Sequence, residues 1–280
     1  MSQGDRFLDS PSRMNMKKVV IQKESGYCIS SIEQIPGSCR GIVLAVHGFS
    51  SSKECVTYQL LLRKLPEAGL GMLGIDLPGH GKEESCEETL RIEACKDSIA
   101  AAERYICRSY PELPVYYFGS SFGAYMIGLY LSTRAHAGGR AFFRSAAVNM
   151  PELFIKENPT AEEREKLESL ARNGFFYHSL DDEHQPVKIT QGFYDDLSGN
   201  NLFDIFDPDA FGGFSVAMAH GLKDNVIDPQ KAADFAERFR IPIHFFENEG
   251  HSLDSAADTP DKVADLAIQF FSQTMAGSNQ

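Results

Sequence analysis

Ser121 stands between Gly119 and Gly123, where an apolar, β-prone run (115–118) gives way to a helix-like apolar run. A serine hydroxyl is a poor nucleophile at neutral pH and needs a base to take its proton. Gly-x-Ser-x-Gly between a strand and a helix is typical of a sharp turn that holds the serine in a strained backbone conformation. The glycines fit that turn, because a side chain at either position would collide with the backbone across it. The alternative is an ordinary glycine-rich turn, so the interpretation depends on partner residues.

An imidazole and a carboxylate follow two later β-prone runs. Residues 214–219 lead into a loop that contains Asp224, and residues 241–246 lead into a loop that contains His251. In an open α/β sheet, the loops at the carboxyl ends of the strands share one edge. Ser121, Asp224 and His251 are therefore expected to meet there, with the imidazole as base and the carboxylate orienting it.

Strands and helices that alternate along the chain must position these residues. Residues 17–22 and 27–32 alternate apolar and polar side chains around a turn, which predicts an antiparallel hairpin. Further strands are predicted at 42–46, 70–75, 115–118, near 141–149, 214–219 and 241–246, and helices at 54–65, 89–108, from Gly123 to Leu131, 229–239 and 259–275. The alternation indicates an α/β fold with a mostly parallel sheet, helices on both faces and the hairpin at the edge. A capping box at 51–54 is expected to begin the first helix.

The alternation stops between residues 150 and 210. Residues 157–168 are charged and look helical, and the aromatic stretches that follow (175–178 and 193–194) look loop-like. We predict a small, partly helical insertion folded over the carboxyl edge of the sheet. The predicted organisation is a core of 17–149 and 211–280, an insertion at 150–210, and a polar segment at 1–16 that is a disordered leader or an expression remnant.

The composition excludes several function classes. A net charge of −12 argues against nucleic-acid binding, which needs a basic face. No apolar run approaches the roughly 20 residues of a membrane span, and no hydrophobic signal segment begins the chain. The six cysteines (28, 39, 55, 86, 95 and 107) form no Cys-x-x-Cys pair and do not cluster with histidines, so no metal site is indicated. Reduced thiols in a cytoplasmic protein are expected, with a disulfide-bonded exported protein as the alternative. The oligomeric state is not indicated.

Five motifs from about residue 17 to residue 275 carry a family resemblance. They are His-Gly-x at 47–49, Asp-x-x-Gly-His-Gly at 76–81, Gly-x-Ser-x-Gly at 119–123, Gly-x-x-Asp-x-x-Val/Ile at 221–227 and Gly-His at 250–251. With these five motifs in this order, the chain resembles an α/β-hydrolase. The resemblance implies that Ser121 is the nucleophile, Asp224 the acid and His251 the general base. It also implies an oxyanion hole made by the backbone N–H groups of Phe49 and Phe122, and a lid at 150–210 that shapes the pocket.

Within that superfamily the chain is similar to bacterial carboxylesterases of the cinnamoyl or feruloyl esterase and monoacylglycerol lipase type, which themselves resemble serine aminopeptidases. The resemblance implies a serine esterase that cleaves small-molecule short-chain acyl or aryl esters through an acyl-enzyme, without metal or cofactor. A thioesterase with the same machinery is an alternative.

Three other functions are compatible with this fold to different degrees. An aminopeptidase-like enzyme needs acidic residues to bind a free amine, for which the insertion offers Glu152, Glu157, Asp181, Asp182 and Glu183. A non-catalytic binding protein of this fold is disfavoured, because such proteins usually lack a member of the triad. A dehalogenase is disfavoured, because the turn carries serine and not aspartate.

Several other residues compete for a role. Asp228 and Asp254 are alternatives to Asp224, and we expect Asp228 to cap the helix that begins near Pro229. His47 and His80 are expected to be structural, bonding backbone near the oxyanion turn. His178 and His184 are expected on the surface or lining the pocket. The aromatic residues at 175–177 and 193–194 either line an acyl or aryl pocket or form the core of the lid.

Overall fold

A mixed eight-stranded sheet forms the centre of the computed structural model, which describes residues 16–81, 88–179 and 185–273. In chain order the strands are β1 (Lys17–Gln22), β2 (Cys28–Gln34), β3 (Ile42–Val46), β4 (Gly71–Ile75), β5 (Val115–Ser120), β6 (Arg140–Arg144), β7 (Phe175–His178), β8 (Val187–Thr190), β9 (Ser215–Gly221) and β10 (Ile243–Phe246). The main sheet has the order β1-β2-β4-β3-β5-β6-β9-β10, while β7 and β8 pair separately. The β1–β2 hairpin is antiparallel and joins β4 antiparallel, and all other pairs in the main sheet are parallel. The predicted fold class is confirmed.

Helices cover both faces of this sheet. They are α1 (Val56–Glu67), α2 (Ile92–Ser109), α3 (Phe122–Thr133), α4 (Met150–Phe154), α5 (Ala161–Asn173), α6 (Gln191–Ser198), α7 (Leu202–Ile205), α8 (Pro229–Arg238) and α9 (Thr259–Ser272). Successive side chains of β3 point to opposite faces, as in any strand. Leu44 lies in the core cluster that contains α2, α3 and α8, whereas Val43 and Ala45 lie in the cluster that contains α1 and α9. A continuous apolar run is therefore buried on both sides.

The register of the parallel strands brings their carboxyl ends to one edge. Val46 of β3 is opposite Gly119 of β5, and Ser120 of β5 is opposite Arg144 of β6. The loops after β3, β5, β9 and β10 therefore begin at nearby points, and these are the loops that carry the candidate residues.

Two local predictions are wrong. The segment 51–54 does not form a capping box, and α1 begins at Val56 with Cys55 as an N-cap that makes no side-chain capping bond. The reason is that the Lys53 backbone N–H and ammonium both donate to Asp76, at 2.6 and 2.7 Å, which ties this segment to the loop after β4. The strand expected near 141–149 ends at Arg144, because the chain turns at Ser145, whose φ is 46°.

The region 150–210 contains more regular structure than its sequence indicates. The helix expected near 157–168 is α5, which begins with a capping box between Thr160 and Glu163 and ends at Gly174 with φ 78°. The stretch 175–178 was predicted as a loop, but it is β7, which pairs antiparallel with β8. The error arose because β7 is stabilised by a partner strand farther along the chain, which local propensity does not register.

Cys28 is disulfide-bonded, while the other four cysteines in the described part of the chain are free thiols: Cys39, Cys55, Cys95 and Cys107. The expectation of reduced cysteines is therefore wrong for Cys28, because spacing along a sequence does not report which residues come close in space. The cytoplasmic location loses part of its support and stays a prediction.

Some residues named in the sequence analysis lie outside the described residues. They are residues 1–15 of the expected leader, Cys86, Asp181, Asp182, Glu183 and His184. Within the described ranges no helix is both long and apolar enough to cross a membrane.

Candidate active site

Ser121 occupies a strained turn between β5 and α3. Its φ and ψ are 50° and −112°, a left-handed conformation that is rare for a residue with a side chain. A Cβ atom at Gly119 would lie 2.5 Å from Ala124 Cα, and one at Gly123 would collide with the carbonyl oxygens of Val46 and His47. Both glycines are thus required by close backbone approach, as the sequence predicted, and the ordinary-turn alternative does not describe this geometry.

Ser121, His251 and Asp224 form one hydrogen-bonded line. His251 Nε2 lies 3.0 Å from Ser121 Oγ, and His251 Nδ1 lies 2.8 Å from Asp224 Oδ2. The Ser145 hydroxyl donates to the carbonyl oxygen of His251 at 2.7 Å, which supports the loop after β10. With the proton on Nδ1 held by the carboxylate, Nε2 is free to accept the serine proton. The structure therefore brings together the three residues that the sequence singled out.

The Asp224 carboxylate is buried and accepts four hydrogen bonds. The backbone N–H groups of Val226 and Ile227 donate to Oδ1 at 2.8 and 2.9 Å, and His251 and His220 both approach Oδ2. Burial acts to raise the pKa of Asp224, but the hydrogen bonds from His220 and His251 outweigh it and hold that pKa below its usual range. Asp224 is therefore a carboxylate whose charge and position are both fixed.

His220 is a residue of this site to which the sequence analysis gave no role. It is the penultimate residue of β9 and is fully buried, with Nε2 at 3.1 Å from Asp224 Oδ2 and 3.2 Å from the Ile227 carbonyl oxygen. A signal was present in the sequence: a histidine directly after the apolar run 214–219, four positions before the candidate acid.

The two competing aspartates have other positions. Asp228 accepts the Gln230 N–H at 2.9 Å and caps α8, as predicted. Asp254 is exposed beside the His251 loop, and it lines the cleft described below. Asp224 is the aspartate bonded to His251.

Phe49 and Phe122 lie side by side next to the serine. Phe122 is the first residue of α3, so its N–H has no acceptor within the helix. The loop after β3 approaches the turn closely, since a Cβ atom at Gly48 would lie 3.4 Å from both Ser120 O and Ser121 Cβ. The two phenylalanine rings, both buried, meet edge to face with centroids 5.7 Å apart.

His47 and His80 make structural contacts of the kind expected. His47 Nε2 accepts the Leu77 N–H at 3.1 Å, and Nδ1 donates to Gly48 O at 2.7 Å. His80 Nδ1 lies 2.9 Å from Pro78 O. Burial lowers the pKa of His47 to about 4 and that of His80 to about 3, so both are neutral at physiological pH.

A cleft of about 960 Å³ reaches Ser121 and His251 between the start of α1 and the start of α9. Its apolar lining residues include Val56, Leu60, Leu61, Phe118 and Val263, and its charged lining residues include Glu54, Arg144 and Asp254. Gln185 is the one residue of 150–210 in this lining, within the described part of the chain.

The aromatic residues of 150–210 pack over the two phenylalanines instead. Phe154 lies 5.8 Å and His178 5.7 Å from Phe49, and Phe193 lies 6.2 Å from Phe122, between ring centroids. Phe193 is fully buried, whereas Tyr177 is 57% exposed. For Phe193 the alternative of a packed core is therefore the right one. No group of three or more histidine, cysteine or acidic side chains within 16–81, 88–179 and 185–273 is arranged to hold a metal ion.

Comparisons with known proteins agree with this architecture. The family model described as serine aminopeptidase, S33, matches residues 37–182. No curated protein sequence matches the chain.

Several solved structures share the fold. Est1E from Butyrivibrio proteoclasticus with ferulic acid bound has a TM-score of 0.72 at 16% identity, over 91% of this chain and 100% of that chain. Mouse alpha/beta hydrolase domain-containing protein 10 has a TM-score of 0.69 at 14% identity, over 90% and 97%. The esterase domain of a Rhodothermus marinus protein has a TM-score of 0.66 at 17% identity, over 92% and 99%.

Proposed function

We propose that this chain, which belongs to the serine aminopeptidase (S33) family of hydrolases, is a serine esterase. It cleaves short-chain acyl or aryl esters through an acyl-enzyme. The observation that carries the proposal is the hydrogen-bonded line from Ser121 through His251 to Asp224, at 3.0 and 2.8 Å. Ser121 is the nucleophile, His251 the general base and Asp224 the acid that orients it.

Acylation follows from this geometry. The Ser121 proton passes to His251 Nε2 as Oγ forms a bond to the ester carbonyl carbon. The negative charge then resides on the former carbonyl oxygen, and the backbone N–H groups of Phe49 and Phe122 are the proposed donors that stabilise it. The C–O bond to the alcohol breaks when Nε2 returns its proton to the alcohol oxygen, which leaves the acyl group on Ser121.

Deacylation repeats the sequence with water. A water molecule gives its proton to His251 Nε2 and attacks the acyl carbon, and the bond to Ser121 Oγ breaks as the proton returns to Oγ. The product is a free carboxylic acid, and no step needs a metal or cofactor. Loss of one oxyanion donor typically costs about 10²–10³ in kcat, so the position of Phe49 beside Phe122 matters to the rate.

Two observations favour an ester over a peptide substrate. Glu152, one of the acids considered for binding a free amine, is paired with Lys231 at 3.0 Å. The structure of Est1E holds ferulic acid, a carboxylic acid, and the Rhodothermus marinus structure is that of an esterase domain. We propose that this chain shares the esterase activity. The partner we propose is a small-molecule ester and not a nucleic acid, in keeping with the charge of −12.

We also propose that 150–210 acts as a lid on the core formed by 17–149 and 211–280. Its support is the packing of Phe154, His178 and Phe193 against the phenylalanines beside Ser121. In this arrangement the lid closes one side of the site, and substrate enters from the cleft between α1 and α9.

A substrate panel tests the activity. We would measure kcat/KM for p-nitrophenyl esters of increasing chain length, an aryl ester, a matched thioester and an aminoacyl p-nitroanilide, with wild type and Ser121→Ala. Esters should be the best substrates, and Ser121→Ala should abolish their turnover while its thermal melt stays close to that of wild type. Cleavage of the anilide alone would establish the peptidase alternative, and a thioester preference would establish the thioesterase.

A further inference from the structure

We propose that Arg144 binds a carboxylate of the substrate, so that the enzyme prefers esters that carry a carboxylate to neutral esters of the same size. The inference rests on the proposed esterase function and names the class of ester that the cleft selects. The inference is based on the guanidinium of Arg144, which lines the cleft together with Ser121 and His251.

Arg144 is held next to the residues that adjoin Ser121 and His251. It is the last residue of β6, directly opposite Ser120, and its carbonyl oxygen accepts the Ser121 N–H at 2.8 Å. One guanidinium nitrogen, Nη1, donates to Ser120 Oγ at 2.8 Å, and Nη2 donates to the carbonyl oxygen of Ser252. The charge is therefore fixed between the residue before the nucleophile and the residue after His251.

The guanidinium has no anionic partner at bonding distance. Both of its acceptors are neutral, and no carboxylate oxygen within the described residues lies within the 4.0 Å of an ion pair. By contrast, Arg91 pairs with Asp196 at 2.7 Å, and Arg134 pairs with Asp97 at 2.6 Å.

The charged and titratable groups around Arg144 leave its positive charge available. Asp224 and Asp254 attract it from beyond ion-pair distance, as does the Cys55 thiol when ionised. Asp224 is already occupied by four donors, and Asp254 is exposed to solvent. Burial raises the pKa of Cys55 and so keeps the thiol neutral.

Arg144 is half-buried. A partly buried charge without an ionic partner is costly, and a carboxylate that enters the cleft offsets that cost. Burial lowers the pKa of Arg144, which is the expected sign for an uncompensated cation. A guanidinium still has free N–H groups after two hydrogen bonds, in a planar arrangement that suits a carboxylate. The net charge of −12 repels an anion from the protein as a whole, so binding of a carboxylate near Ser121 depends on Arg144, which is the one lysine or arginine among the described residues that line the cleft.

A purely structural role for Arg144 makes a different prediction. If its function were only to connect Ser120 to the Ser252 loop, changing it would slow charged and neutral esters in parallel. If it binds a carboxylate, the ratio of their kcat/KM values changes. The ratio therefore separates the two roles.

The experiment uses two pairs of esters that differ in one charge. p-Nitrophenyl hydrogen glutarate and its methyl ester place the carboxylate on the acyl side, and m-acetoxybenzoate and its methyl ester place it on the alcohol side. We would measure kcat/KM for wild type, Arg144→Gln, Arg144→Lys and Lys223→Gln. Lys223 is the matched control, because it is an exposed cation at the same sheet edge, bonded to Asn248 at 2.9 Å and outside the cleft lining.

We expect wild type to prefer the charged member of at least one pair, which identifies the side that carries the carboxylate. Arg144→Gln should lower that ratio about 10-fold or more, chiefly through KM, as for loss of a charge-assisted hydrogen bond. Arg144→Lys should retain part of the preference, and Lys223→Gln should retain all of it.

A wild-type enzyme that cleaves the neutral ester of each pair as well as or better than the charged one overturns the inference, whether or not the variants fold. An unchanged ratio in Arg144→Gln does so too. In both cases turnover of the neutral esters leaves the proposed function intact. Absence of turnover with every ester would instead contradict the proposed function itself.

Discussion

His220 and His251 approach the same oxygen of Asp224, at 3.1 and 2.8 Å. The first imidazole is fully buried in β9, and the second extends toward Ser121. Because the backbone N–H groups of residues 226 and 227 occupy the other oxygen, the carboxylate has one orientation in which all its acceptors are used. We therefore regard His220 as a positioning residue, which acts on the serine through Asp224 and His251.

Replacing His220 tests this positioning role. His220→Leu removes the donor and should lower kcat about 10-fold with little change in KM, since a hydrogen bond to a charged group contributes about 1.5–3 kcal/mol. His220→Gln keeps a donor and should recover most of the loss. Steady-state kinetics with a p-nitrophenyl ester and thermal melts would be compared. If kcat is unaffected, or if Gln and Leu lower it equally, His220 is only a core residue.

Asp224→Asn should be far more damaging. An amide cannot accept all four hydrogen bonds, and it favours the wrong tautomer of His251, so kcat should fall about 10⁴-fold. Asp228→Asn is the matched control, because Asp228 caps α8. It should change stability by less than about 1 kcal/mol and leave kcat as it is. Comparable kinetic losses in the two variants would contradict the assignment of the acid.

The fold was predictable from the sequence because its central strands are buried on both faces. The runs 42–46 and 115–118 are apolar throughout, so their pattern and the following turn residues locate β3 and β5. The family resemblance inferred from the motifs is also confirmed. The β7–β8 pair was missed, because a short strand such as Phe175–His178 is stabilised by its partner and not by its own composition.

The candidate site was predictable to the extent that its residues follow strands. Ser121, Asp224 and His251 come after β5, β9 and β10, and parallel register brings those ends together. His220 and Arg144 were not assigned, because their roles depend on contacts across strands. From sequence alone, an arginine at the end of a strand is expected to be an exposed charge, because its neighbours in space are not known.

Gly123→Ala tests the steric account of the turn. A Cβ atom there would overlap the carbonyl oxygens of Val46 and His47, and backbone cannot yield as a side chain does. We expect a loss of about 3 kcal/mol or more in the free energy of unfolding, above the usual range for overpacking, together with loss of esterase activity. Gly139→Ala is the control, because a Cβ atom there meets nothing within 4 Å. Equal urea midpoints for the two variants would contradict this account.

His47 should make stability depend on pH. Burial lowers its pKa from the ordinary 6.5 to about 4, so below about pH 6.5 the unfolded chain takes up a proton that the folded protein does not. The free energy of unfolding should therefore fall as the pH decreases, by about 2 kcal/mol near pH 5 from His47. His80 adds a loss of the same sign.

Urea unfolding of wild type and His47→Gln between about pH 7.5 and 5 measures this contribution. Glutamine keeps an acceptor and a donor for the Leu77 and Gly48 bonds, so the variant should fold and lose about 2 kcal/mol less on acidification. Parallel curves would show that His47 does not titrate as proposed. Direct titration of the His47 imidazole by NMR offers a second reading that does not depend on the variant.

The most direct measurement is covalent labelling of the intact protein with a fluorophosphonate, followed by peptide mass mapping. Our account predicts one adduct, on Ser121, with labelling abolished in Ser121→Ala and slowed by orders of magnitude in His251→Ala. Wild-type protein that hydrolyses esters but carries the adduct elsewhere, or labelling of Ser121 at the same rate without His251, would contradict it.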